Sequence, residues 1–251
     1  MKSPSLHAVI PVKSFASAKQ RLSPLLNAHE RASLACAMFE DVLDVIVGSP
    51  CLAGTLVVTD DVQAAAIANA RGARVLTGPA EAGLRPAIRH AARALCDAGH
   101  LGMLMIPADL PMVKPTDLEL ITLAHGTAPA VTLVAASSDG GTNALVCSPP
   151  DAIDACFGHE SFRLHRQAAQ EAGLVAKVLM LPRLERDIDR PEDLFAFLQQ
   201  PSGPRTHAYL AVSGIAERLY ELNTQARPAH PKPIHCTAFI SDESAAIQIK
   251  G

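Results

Sequence analysis

No apolar run in the 251-residue sequence approaches the roughly 20 residues that span a bilayer. The chain opens Met1-Lys2-Ser3-Pro4 and passes at once into a strand-like segment, without the apolar core of a signal peptide. A cytoplasmic protein with no membrane partner is expected. Cysteine is sparse and scattered: the six residues Cys36, Cys51, Cys96, Cys147, Cys156 and Cys236 form no Cys-x-x-Cys pair. That excludes a disulfide framework and predicts reduced, mostly buried thiols. The ten histidines show no metal spacing and no Gly-x-Ser-x-Gly elbow is present, so a zinc enzyme and a serine hydrolase are both unsupported. Charge of one sign is also lacking. A formal net charge of −3 argues against a nucleic-acid binder held by a basic surface. The first loop, Lys13 to Ser23, has no glycine, so neither the P-loop nor the dinucleotide fingerprint fits.

What the chain does have is apolar material, 49% of its residues, arranged as short runs alternating with alanine-rich amphipathic stretches. The runs predict strands at His7–Val12, Thr55–Thr59, Arg74–Thr77, Met103–Pro107, Ala130–Ala136, Asn143–Cys147 and Ala176–Leu181. The stretches between them predict helices at Glu30–Val47, Val62–Arg71, Pro86–Ala98, Pro115–His125 and Phe162–Ala172, with a last one starting at Pro191. Strands and helices in alternation predict an α/β fold with a doubly wound, mostly parallel sheet flanked by helices. Breakers at Gln199–Pro204 divide the chain into a domain of residues 1–200 and an extension of residues 201–251. In that extension Leu210, Ile215, Leu219 and Leu222 fit one face of a short helix, and Ala226–Pro233 reads as extended or flexible. No chemistry is expected of the extension, and removing it should cost little.

Three acidic residues stand out. Asp187 and Asp189 are two apart, so in an extended segment both carboxylates face one way. Asp109 follows the apolar run Met103–Ile106, at the carboxyl end of a strand, where open α/β sheets bind ligands. Three carboxylates meeting there would repel unless a hard cation held them, and Mg²⁺ prefers oxygen ligands shared with phosphates. Asp187 has no other local role and Asp109 lies between prolines at a strand end, but other residues have plainer explanations. Asp189 with Glu192 reads as a helix cap, and Lys13, Lys19 and Arg21 read as a solvated basic loop as readily as a triphosphate site. Asp139-Gly140-Gly141 reads as an ordinary turn, and Ser161 as the N-cap of the helix that follows.

Taken in order, five segments resemble one family: Pro11-Val12-Lys13 with Ala18-Lys19-Gln20-Arg21-Leu22, Pro107-Ala108-Asp109-Leu110-Pro111, Gly141-Thr142-Asn143-Ala144-Leu145, Phe157-Gly158 with Ser161-Phe162, and Asp187-Ile188-Asp189 with Pro191 and Asp193-Leu194. They are similar to the CofC/FbiD guanylyltransferases of coenzyme F-420 biosynthesis, over about Ala8 to Leu198. The resemblance implies a GT-A-like, Rossmann-like nucleotidyltransferase fold. It implies transfer of GMP from GTP to 2-phospho-L-lactate, phosphoenolpyruvate or 3-phospho-D-glycerate, with release of diphosphate. By position it implies Asp109, Asp187 and Asp189 as Mg²⁺ ligands, and Thr142, Gly158 and Ser161 as the acid-binding residues. Lys13, Lys19, Arg21 and Gly83 fall on the GTP side, with Lys13 and Asp109 nearest the chemistry. Where the family reads Gly-Leu-Asn-x-Ala, this chain has Gly83-Leu84-Arg85-Pro86-Ala87, and Arg85 cannot accept a hydrogen bond as asparagine does.

The implied chemistry is consistent with charge. An anionic acceptor must approach an anionic α-phosphate, and a cation with basic side chains would neutralise both. A small-molecule enzyme using GTP and a phospho-acid is therefore expected, with Mg²⁺ as cofactor; a homodimer is left open. The alternatives are another nucleotidyltransferase, of molybdopterin or sugar-phosphate type, a non-catalytic nucleotide-binding module, or an interaction protein working through the tail.

Overall fold

The computed structural model describes residues 5–78, 82–137, 140–200 and 204–226. Asp139, Cys236 and the proline-rich stretch of the extension lie outside the described residues. Seven strands form one sheet: β1 (Leu6–Pro11), β2 (Gly54–Val58), β3 (Arg74–Leu76), β4 (Gly102–Met105), β5 (Ala130–Ala135), β6 (Thr142–Ser148) and β7 (Lys177–Leu179). Its order is β3-β2-β1-β4-β6-β5-β7, and only β6 runs antiparallel to its neighbours. Each predicted strand is present to within two residues at either end. The helices are α1 (Ala28–Val47), α2 (Val62–Ala70), α3 (Leu84–Asp97), α4 (Pro115–Ala124), α5 (Ser161–Glu171), α6 (Pro191–Leu198), α7 (Arg205–Val212) and α8 (Ile215–Ala226).

Period-two alternation divides the sheet's side chains between two cores. Leu6, Ala8 and Ile10 of β1 join α1, α2 and α4 on one face, while Val9 joins α3 and α5 on the other. Burial of the central strands on both faces explains why β4 is apolar at every position. Helix boundaries follow local chemistry. Asn27 and Glu30 form a reciprocal capping box at the start of α1, and Pro115 and Pro191 open α4 and α6 where no amide donor is needed.

The antiparallel β6 matters most for function. Because it runs against β4, it begins at the sheet edge where β1, β4 and β5 end. Its pairing with β5 steps from Val134 opposite Ala144 to Ala135 opposite Thr142, leaving Asn143 as the extra residue of a bulge. Bulges of this kind re-aim side chains at strand ends.

Residues 204–226 contradict the expectation that the extension contributes little. Leu210, Ile215 and Leu219 are buried in a third core with Leu22, Leu26, Leu34, Met38, Ile188, Leu194 and Phe197. Leu222, expected on the same face, is exposed. The start of α7 is held by the buried Asp41 of α1, which accepts from Arg205 N at 2.8 Å, Thr206 N at 2.9 Å and Thr206 Oγ1 at 2.7 Å. Truncation at Gln200 would therefore strip three buried aliphatic side chains from this core. At roughly 1.5–3 kcal/mol each, their loss is comparable to much of a domain's ordinary stability of about 5–15 kcal/mol. The truncated chain is expected to melt far below the full-length protein or to aggregate; an unchanged melting temperature would refute this role. The thiols also differ from expectation. Among the described residues only Cys147 is buried; Cys36, Cys51, Cys96 and Cys156 are partly exposed, and all five are free.

Candidate active site

The glycine-free first loop is a folded structure. Two short 3₁₀ turns, Phe15–Ser17 and Gln20–Leu22, carry it away from β1. Phe15 is buried against Phe39 with ring centroids 6.0 Å apart, and its amide donates to Asp61 Oδ2 at 3.0 Å. The other oxygen of Asp61 caps α2 through Ala64 N at 2.9 Å. Between the turns Lys19 adopts a left-handed backbone, φ 53°, an uncommon conformation for a residue with a side chain.

That conformation accompanies an ammonium placed among acids. Lys19 Nζ lies 2.6 Å from Asp109 Oδ2 and 2.8 Å from Asp189 Oδ1. Arg21 adds a contact to Asp189 Oδ2 at 3.0 Å. Ile188 N donates to the carbonyl of Asp109 at 3.2 Å, joining the two acidic loops through their backbones. Ile188 itself points into the third core, so Asp187 and Asp189 are turned together toward Asp109. Ligand oxygens from Asp109, Asp187 and Asp189 all lie within 4.8 Å of one another.

Burial raises the pKa of Asp187 and the charge of Asp109 raises it further, against an opposing hydrogen bond from Asn143 Nδ2 at 3.2 Å. For Asp189, burial pushes the same way, but Lys19 and then Arg21 outweigh it and hold the carboxyl below its ordinary value. Burial alone would lower the Lys19 ammonium; Asp109 and Asp189 reverse this and raise it. Asp109 Oδ1 is buried with no partner. An orphaned carboxylate oxygen beside two further carboxylates is an all-oxygen donor set with capacity left over, which suits a hard divalent cation.

The helix-cap explanation of Asp189 is set aside by its contacts. Asp193 Oδ2 accepts from the amides of Asp189 and Arg190 at 3.1 and 2.7 Å, leaving the Asp189 carboxylate to the two basic side chains. A cleft of about 480 Å³ is lined by Lys13, Lys19, Asp109 and Asp189 on one side and by Leu84 and Ala87 of α3 on another. Gly83 is the N-cap of α3. Arg85, two residues on, donates through Nε to the carbonyl of Ala155 at 3.1 Å. It ties α3 to the loop before α5.

On the far side of β6 a second cluster forms. Ser161 is not the N-cap of α5: Glu160, at φ 53°, takes that place, and the Ser161 hydroxyl turns inward to Thr142 Oγ1 at 3.3 Å. Both residues are buried. Gly158 has φ +128°, and a Cβ built on it would meet nothing within 4 Å. The residue lies against open space in a conformation that glycine adopts freely. Phe162 N donates to Gly140 O at 3.1 Å, closing the glycine turn onto α5. Two neighbours here, Asn143 and His165, carry contacts to which the sequence assigns no role. Asn143 reaches Asp187, and His165 reaches Thr142 Oγ1 at 2.9 Å. His165 lies four residues after Ser161, one turn along the same helical face; that spacing was the available signal.

Comparison with known proteins bears on the family and the fold. The sequence profile of the family described as "Guanylyl transferase CofC like" matches residues 6–225, and so includes α7 and all but the last residue of α8. A phosphoenolpyruvate guanylyltransferase from Roseiflexus sp. (strain RS-1) is 39% identical over 196 residues, covering 78% of this chain and 86% of the relative. A 3-phospho-D-glycerate guanylyltransferase from Colwellia psychrerythraea is 37% identical over 195 residues, covering 77% and 92%. Among solved structures, a protein from Desulfovibrio desulfuricans G20 assigned as a nucleotide-diphospho-sugar transferase aligns with a TM-score of 0.69 at 15% identity, over 86% of this chain and 97% of the other. That likeness concerns the fold.

Proposed function

The chain belongs to the family of CofC-like guanylyl transferases, and from that premise we propose that it moves GMP from GTP to the phosphate of a three-carbon phospho-acid in coenzyme F-420 biosynthesis. Phosphoenolpyruvate and 3-phospho-D-glycerate, the acids in its relatives' names, are the first candidates, with 2-phospho-L-lactate beside them. The observation that carries this reading is the convergence of Asp109, Asp187 and Asp189 within 4.8 Å, at the end of a cleft that Lys13 and Lys19 line.

In the proposed reaction an oxygen of the acceptor phosphate attacks the α-phosphorus of GTP. The bond from that phosphorus to the bridging oxygen of the β-phosphate breaks, and diphosphate leaves with the electron pair. The acceptor phosphate is already ionised near neutral pH, so no protein base is required. Asp109, Asp187 and Asp189 would hold Mg²⁺, which neutralises the phosphates when bound. Lys13 and Lys19 would face the triphosphate and stabilise the leaving diphosphate, with Arg21 at the rim. Lys19 lies on oxygens of Asp109 and Asp189 that would also hold the cation, and its ammonium would then be available to phosphate. Thr142, Gly158 and Ser161 would receive the acid. Catalysis is then positioning and electrostatics.

The test is diphosphate release by the purified protein with GTP, Mg²⁺ and each acid in turn, and with ATP, CTP and UTP as replacements for GTP. Release is expected only with GTP plus one of the acids, and should stop reversibly with EDTA. Full activity after exhaustive chelation would remove the cation from this reading. Absence of acid-dependent release with all three acids would remove the acceptor class.

A further inference from the structure

The buried His165 has no part in the reaction just described, yet its two ring nitrogens are both committed. The backbone N–H of Cys156 donates to Nε2 at 2.8 Å. A ring nitrogen that accepts holds no hydrogen, so the neutral ring carries its one hydrogen on Nδ1. The neutral form prevails at ordinary pH, because burial and then the charge of Arg85 bring the ring down to about 4. Nδ1 lies 2.9 Å from Thr142 Oγ1 and must donate to it. Phe157 packs edge-on against the imidazole, centroids 4.7 Å apart, and fixes its plane.

The consequence is a count of hydrogens. Thr142 and Ser161 bring two hydroxyl hydrogens, and only one of them can lie in the contact between their oxygens. With His165 acting as a donor, the second hydrogen is hydrogen-bonded to no other acceptor among the described residues. We propose that His165 is a positioning residue: by donating to Thr142 it compels the Thr142–Ser161 pair to offer a hydroxyl hydrogen to the anionic acceptor acid. With the opposite tautomer Thr142 would donate to the ring and Ser161 to Thr142, and the pair would present only lone pairs to an anion. This inference rests on the reading of Thr142 and Ser161 as the acid side of the site.

Two substitutions separate the two hydrogen bonds of the ring. In His165→Gln the longer side chain can place its carbonyl near the Nε2 position and still accept from Cys156, but it has no donor near Nδ1. In His165→Asn the amide can donate near Nδ1 and falls short of Cys156. The glutamine variant is expected to raise the KM for the acid by on the order of tenfold or more, the size of one hydrogen bond to a charged group, with the KM for GTP little changed. The asparagine variant should recover most of that loss. The reverse order, glutamine normal and asparagine impaired, would mean that His165 only anchors the Cys156 loop, and would overturn the proposal. Thr142→Val is the control for the underlying reading. If it leaves the acid KM unchanged, the acid side has been misplaced; if it raises the KM while His165→Gln does not, the positioning role alone is wrong. Ring ¹⁵N shifts of the unsubstituted protein give an answer independent of any variant's folding. An Nδ1-protonated ring is expected at neutral pH, and an Nε2-protonated or charged ring would refute the mechanism.

Discussion

Asp187→Asn is expected to abolish nearly all guanylyl transfer while leaving the metal-free protein at least as stable as before. The two effects have opposite signs because the carboxylate is costly to the fold and required by the proposed chemistry. Burial and then the charge of Asp109 raise its pKa above the ordinary 3.8. A raised carboxyl penalises the folded state once it ionises. The cost is absent below the ordinary value, grows as pH rises through it to the folded value, and is fully present at neutrality. Asparagine has the same shape without the charge, so melts at neutral pH should be equal or higher, and the difference should vanish in acid. In the proposed reaction the same change would remove one cation ligand. Losing about 4 kcal/mol of charge stabilisation would slow turnover roughly a thousandfold. Diphosphate release and melting curves, measured side by side, decide the matter. A variant that works within tenfold of the parent, or that melts well below it, would show that Asp187 is a structural acid.

Lys19→Met should give the other large effect, and its signature is rescue. The ammonium lies between Asp109 and Asp189 with its side chain only 8% exposed. Removing one partner of such a pair leaves charge uncompensated, at a cost of about 3–5 kcal/mol in a dry site. The Asp189 side chain keeps 34% exposure, which places the expected loss near the lower end. Asp109 and Asp189 hold the lysine above its ordinary 10.5 despite burial, so its contribution is present below that value and is lost only as pH rises through the folded one. Neutral-pH melts therefore report all of it. Added Mg²⁺ should restore most of the variant's stability and raise the parent's less, since in the parent the cation must first displace an ammonium. Turnover should remain roughly 10²–10³-fold low even when rescued, for want of a cation on the leaving diphosphate. A variant that melts like the parent and gains nothing from Mg²⁺ would mean that the three carboxylates form no cation site.

Much of this architecture was legible because it rests on periodicity. β1 and β4 declare themselves as apolar runs, and the two-residue spacing of Asp187 and Asp189 places Ile188 inward and the acids outward. Single hydroxyls and carboxylates were harder to read, because several backbone amides compete for them. Ser161 has the residue type of an N-cap, but Glu160 takes the left-handed position and turns the serine inside. Asp189 and Asp193 both could have capped α6, and only the basic side chains arriving from the first loop decide between them. Those arrivals span 168 and 170 residues of sequence, a separation no local pattern encodes. The packing of the helices after Pro204 is illegible for the same reason, since their partners Leu22, Leu34 and Ile188 belong to distant segments.

The bulge at the head of β6 has a consequence for tolerance. Thr142 serves the hydroxyl cluster and Asn143 serves the acidic one, and a single peptide bond joins them. Consecutive Cα atoms are separated by about 3.8 Å whatever the surrounding loops do. The two halves of the site thus share a covalent ruler whose one division is a peptide unit, fixed at one end of the sheet. Loops elsewhere can lengthen or shorten without changing the offset between Thr142 in the hydroxyl cluster and Asn143, which reaches the acids. On the proposed reading of the site, variation in acid preference would be free to concentrate in the wall facing Thr142, around Gly158 and the first turn of α5, while the one-residue step from Thr142 to Asn143 stays fixed by chain connectivity.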